Sequence, residues 1–114
     1  MIQTMSRTAL LALPILLAAL VNAASADDRD LCNDSKADRD KRLAACSNAI
    51  ATNQWSGADL ARLRVSRAEQ YSRQRALERA LDDCNAAIAA DPKYAPGYRH
   101  RERTPAERGT NRRL

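Results

Sequence analysis

The sequence predicts an all-α protein: a helical hairpin, a fragment of an α-solenoid, preceded by a degenerate half-repeat helix. Three observations carry the prediction. Apolar and small residues recur at helical spacing in three separate segments, about Leu43–Ile50, Leu60–Tyr71 and Leu77–Ile88. An Asp-Pro pair, Asp91-Pro92, closes the third, because proline disfavours helical geometry in the residue before it. One eight-residue pattern occurs twice, Leu43-Ala44-Ala45-Cys46-Ser47-Asn48-Ala49-Ile50 against Leu81-Asp82-Asp83-Cys84-Asn85-Ala86-Ala87-Ile88, at an offset of 38 residues.

The first segment of the chain, residues 1–26, reads as a secretory signal peptide. Arg7 is the single charge before an apolar run from Ala9 to Val21, broken only by Pro14 and followed by Asn22-Ala23-Ala24-Ser25-Ala26. Cleavage is expected after Ala26, at an Ala-x-Ala site. A membrane anchor needs roughly 20 apolar residues, more than this run supplies. No cysteine stands at its end, which disfavours a lipid anchor. The expected mature chain, 27–114, holds one small domain at most, located in the periplasm or secreted.

Residues 27–37 read as a flexible amino-terminal stretch, and 38–60 as the half-repeat helix with its linker. The helix, roughly Asp38 to Thr52, places Leu43, Cys46 and Ile50 on one face. All three cysteines lie in the mature part, and export favours disulfides. Three is odd, so one thiol stays free or pairs with another molecule. Cys46 stands about two turns into the helix, roughly 12 Å along its axis, and residues 33–37 are long enough to fold Cys32 back to it. A Cys32–Cys46 bridge is therefore feasible; three reduced thiols are the alternative. Cys84 faces the core as a small apolar residue. Trp55, in the linker, either plugs the junction or stands exposed as an anchor for a partner.

The main unit spans 61–94. Leu60, Leu63, Ala68 and Tyr71 form the stripe of its first helix, whose start is marked by Ser56 as a cap with Asp59 three residues on. Leu77, Ala80, Leu81, Cys84, Ala87 and Ile88 form the second stripe. One continuous helix from Gly57 to Ala90 would put Arg67, Gln70 and Gln74 in the middle of its apolar seam. A break between Gln70 and Arg75 accounts for the pattern better.

This unit resembles a tetratricopeptide repeat, whose period is 34 residues. Ala68, Tyr71, Ala80, Ala87 and Pro92 fall on the small, aromatic and proline positions of its signature, without a gap. The string Asp91-Pro92-Lys93-Tyr94-Ala95-Pro96-Gly97-Tyr98 is similar to the junction between repeats in bacterial members. Arg64 and Arg67 depart from apolar positions, Cys84 replaces a large aromatic, and Arg75 sits where a turn glycine is common. The resemblance implies a concave groove that binds peptides, lined here by Arg62, Val65, Glu69, Ser72 and, from the following segment, Arg99. Members that clamp a peptide carboxylate use lysine and asparagine there; Val65 and Glu69 depart from that pattern.

Residues 95–114 open as a further repeat and then fail, with Glu102 where a small residue is needed, followed by Pro105 and Gly109. About three repeats are usually required for stability, so either the fold is marginal or a disulfide, a partner or self-association completes it. From Arg99 onward the chain holds six arginines against Glu102 and Glu107, whereas 27–98 carries twelve charges of each sign. The tail is either simply solvated or a grip on an anionic surface such as lipid headgroups; nucleic acid is disfavoured as a partner. Arg79 and Asp83 read as a surface pair worth tenths of a kcal/mol.

Catalytic residues are not expected. Asp82 and Asp83 are adjacent on a helix and splay apart, His100 is the only histidine, and three glycines make no phosphate-cradling loop. No metal-ligand spacing occurs, and no cofactor is expected. The resulting expectation is an exported interaction module or scaffold binding an unidentified protein or peptide without catalysis. The alternatives are a cationic factor that binds lipid or nucleic acid through its tail, and a truncated remnant of a longer repeat array.

Overall fold

The computed structural model describes residues 27–105, so the segment expected to be a signal peptide, with its expected cleavage site after Ala26, and the tail from 106 lie outside the described residues. Helix α1 runs from 27 to 33, followed by α2 (Arg39–Ala51), α3 (Gly57–Arg73), α4 (Leu77–Ala90) and α5 (Ala95–Arg103). The described residues contain no strand. None of their helices is long and apolar enough to cross a membrane.

The first difference from the sequence reading lies at the start. Residues 27–33 are helical where a flexible stretch is expected, and Cys32 within them is fully buried. The physical reason is tertiary. Cys32 stands at disulfide distance from Cys46, with sulfurs 2.05 Å and Cα atoms 4.7 Å apart, and Arg42 Nε donates to the Cys32 carbonyl at 3.2 Å. Ser66 Oγ, on α3, donates to Asn33 Oδ1 at 3.0 Å. A seven-residue helix too short to hold alone is thereby tied to both α2 and α3.

Helix α2 starts where Asp38 accepts from the Lys41 amide at 3.2 Å, satisfying one of the unpaired amides of a first turn. Its inward face is Arg42, Ala45, Cys46 and Ala49. Leu43 and Ile50, expected on that face, are half-buried on its flanks. Leu63 of α3 closes this cluster, with Leu31, Ile50 and Trp55 packed around it. Trp55 is half-buried against the disulfide cluster, with the Arg29 guanidinium 4.4 Å from its ring centroid. It therefore acts as a plug.

Helices α3 and α4 form the expected hairpin. The break falls at 74–76, and Arg75 takes a left-handed φ of 63°, the conformation for which glycine is favoured at helix ends. Ser56 is the residue before α3 but makes no side-chain capping bond, so the expected serine cap is absent; Gly57 instead turns the chain with φ 56°. Two small-residue clusters join the hairpin. Ala68, Ala80 and Cys84 pack together with Tyr71 at their edge. Ala61, Val65 and Ala87 pack with Ala90 and Tyr94. Such small side chains let helix axes approach closely. Gly97 does the same for α5: a Cβ there would stand 3.2 Å from Ile88 Cγ1. Helix α5 is entered through a turn in which exposed Pro92 accepts from the Tyr98 hydroxyl at 2.8 Å.

Candidate functional site

Two features stand out once these helices are in place, one buried and one open. The buried one is an ion cluster where α3 crosses α4. Asp83, on α4, is 2 % exposed. Arg67 Nε donates to its Oδ2 at 2.7 Å and Arg67 Nη2 to its Oδ1 at 2.8 Å, while Arg64 Nη1 donates to Oδ1 at 3.1 Å. Arg67 Nη1 also reaches Ser47 Oγ of α2 at 3.3 Å, so one guanidinium joins three helices. The hydrogen bond to Asp83 raises the Arg67 pKa further, with burial opposing it. This corrects the reading of Asp83 as a surface partner of Arg79: Arg79 lies instead over the Tyr71 ring, 5.9 Å from its centroid. The signal in the sequence is the pair of arginines three apart on an apolar stripe, facing a helix that carries a carboxylate at Asp83.

The open feature is a recess of about 440 Å³ between the carboxy-terminal parts of α3 and α5. Helix α3 supplies Glu69, Ser72 and Arg73; the turn and α4 supply Arg75 and Leu77; α5 and the residues after it supply His100, Arg103, Thr104 and Pro105. Arg73 Nη2 is bonded to Glu69 Oε1 at 2.7 Å. Thr104 Oγ1 donates back to the His100 carbonyl at 2.8 Å, closing α5. Burial pushes the His100 imidazole below its ordinary value; Glu69 pulls it the other way, and Arg103 and Arg99 add to the lowering.

Of the five groove residues expected from the sequence, Glu69 and Ser72 stand in this recess. Val65 does not line it: it is 6 % exposed and packs with Ala61 and Ala87, because α4 covers that side of α3. Arg62 is exposed and lines a separate polar recess with Asp59 and with Arg29, Asp30, Asn33 and Asp34 of the amino-terminal segment. Arg99 is exposed, outside the residues that line the α3–α5 recess. Among the signature residues, Ala68, Ala80 and Ala87 are buried, Tyr71 is half-buried and Pro92 is in the turn. Sequence reasoning missed Arg73, Arg75, Leu77 and Arg103 as neighbours of one recess, since they meet only where α3 ends beside α5.

Cys84 has no chemistry to offer in its present place. It is fully buried, and burial, with the nearby Asp83, pushes its thiol up to about 11; the thiolate is the reactive form. No family model, no curated protein and no solved structure matches the chain.

Proposed function

We propose that the chain is an exported interaction module of tetratricopeptide type, which binds a protein or peptide along the face shared by α3 and α5 and performs no catalysis. One observation carries the reading. Glu69 and Ser72 of α3 stand in one recess with His100 and Arg103 of α5, and alternate helices that share a face are how helical repeats build a binding surface. The signature residues support the family assignment from within the chain. Ala68 and Ala80 share one buried cluster and Ala87 belongs to the next, where close helix crossing demands small side chains. The Cys32–Cys46 pair at disulfide distance supports an oxidising location.

The test is affinity capture with the full chain exported through an oxidising compartment, compared with a Glu69→Arg, Ser72→Trp variant. A specific partner that the wild-type chain retains and the variant loses supports the reading. Identical capture by both, with the variant's circular dichroism unchanged, would sink it.

A further inference from the structure

The charges in the α3–α5 recess do not balance. Glu69 is its one carboxylate, and Arg73 already occupies it at 2.7 Å. The guanidinium groups of Arg75 and Arg103 have no hydrogen-bond or ion-pair partner among the described residues, although the Arg75 backbone amide donates to the Ser72 carbonyl at 3.1 Å. At His100, burial disfavours the charged form, opposed by Glu69 and reinforced by Arg103 and Arg99. Two guanidiniums are therefore left over at one recess. In sequence, residues 106–114, outside the described residues, add Arg108, Arg112 and Arg113 against Glu107.

A group that balances two guanidiniums carries close to two negative charges. One carboxylate supplies one. A phosphate monoester supplies about −1.5 to −2 at pH 7, with three acceptor oxygens, and guanidinium forks match phosphate oxygens in geometry. The rest of the recess suits an organic body beside that group, because Leu77 and Pro105 give it apolar wall and Ser72 a hydroxyl. A volume of about 440 Å³ lies within the usual range of small-molecule sites and exceeds what a bare phosphate needs. We propose that this recess binds the phosphate monoester group of an organic phosphate between Arg75 and Arg103. The ligand is either a soluble organic phosphate or a lipid headgroup of phosphatidate type. The inference stands on the recess alone and does not depend on a protein partner.

The experiment is calorimetric titration of the full chain, from an oxidising compartment and at low salt, with glycerol 3-phosphate. Co-sedimentation with phosphatidylcholine vesicles, with and without phosphatidate, runs in parallel. Two variants are compared: Arg75→Gln with Arg103→Gln in the recess, and Arg108→Gln, Arg112→Gln and Arg113→Gln in the tail. The recess arginines are exposed, so circular dichroism of that variant should match the wild type. The expected result is binding weakened about tenfold or more by the recess variant and changed less than about twofold by the tail variant. Glycerol 3-phosphate binding with this dependence identifies a soluble ligand; phosphatidate-dependent sedimentation alone, with the same dependence, identifies a headgroup. The proposal is overturned if neither probe binds the wild-type chain, if the recess variant binds as the wild type does, or if the loss follows the tail variant.

Discussion

Arg67 grips Asp83 with two parallel hydrogen bonds, of 2.7 and 2.8 Å, at the crossing of α3 and α4. A bidentate pair is among the stronger polar contacts a protein makes, but burial makes the carboxylate expensive to strand. Asp83 is 2 % exposed and holds Arg64 as well as Arg67. Asp83→Ala should therefore destabilise the fold by about 1–3 kcal/mol, since it leaves two partly exposed arginines without this partner. Replacing the whole group, Arg64→Met, Arg67→Met and Asp83→Leu together, should recover most of that loss. Urea unfolding of the two variants checks this, and equal destabilisation would contradict the account.

Arg75 occupies a left-handed conformation, φ 63°, at the turn between α3 and α4. An L-residue pays roughly 1–2 kcal/mol there, which glycine avoids, while glycine loses part of the gain through unfolded-chain entropy. Arg75→Gly should thus gain about 0.5 kcal/mol, raising Tm by about 2–4 °C in a domain of this size. The same change removes one proposed phosphate ligand. Thermal melts and glycerol 3-phosphate titration should move in opposite directions, stability up and affinity down.

The Cys32–Cys46 pair closes a loop with a sequence separation of 14. A loop of that length contributes about 3 kcal/mol in the chain-entropy account. Reduction, or Cys32→Ala with Cys46→Ala, should lower Tm by on the order of 10 °C or more. Trp55 packs against the same cluster, so its fluorescence should shift to the red as α1 is released. An unchanged melt and spectrum on reduction would show that the cluster holds without the bond.

Cys84 links stability to alkaline pH. Its folded-state pKa of about 11 lies above the ordinary 9.0, so the folded chain holds this proton more tightly than the unfolded one. The contribution is full below about pH 9 and is lost as pH rises through 11. Cys84→Ala should flatten the stability profile across that interval relative to the wild type. In the native protein at pH 8, a thiol reagent should leave Cys84 unmodified until denaturant is added.

Much of the helical architecture was legible in the residues. The hairpin break, the end of α4 at Asp91-Pro92 and the inward position of Cys84 follow from local rules: periodicity, proline geometry and the cost of polar groups in a seam. The segment 27–33 was not legible. It has a short apolar content, Leu31 and Cys32, among four aspartates and asparagines, and its helix exists because Cys32, Asn33 and Leu31 find partners on α2 and α3. The lining of the α3–α5 recess was legible only in Glu69 and Ser72. Helical spacing ranks Arg62, Val65, Glu69 and Ser72 together along α3, yet cannot tell which of them α4 will cover.

By itself, then, the sequence determined the helical character of the described residues, their hairpin, their small-residue crossings and the surplus of arginine after residue 98. Those are consequences of one-dimensional spacing and of residue chemistry. Only the tertiary structure decided that Asp83 is buried between Arg64 and Arg67, that Val65 belongs to the core, and that Arg75 and Arg103 flank one recess. Burial and charge pairing depend on which helix faces come together in space. Residues 28 positions apart, as Arg75 and Arg103 are, come to line one recess only when α5 docks against α4, close-packed at Gly97, and its end lies beside the end of α3.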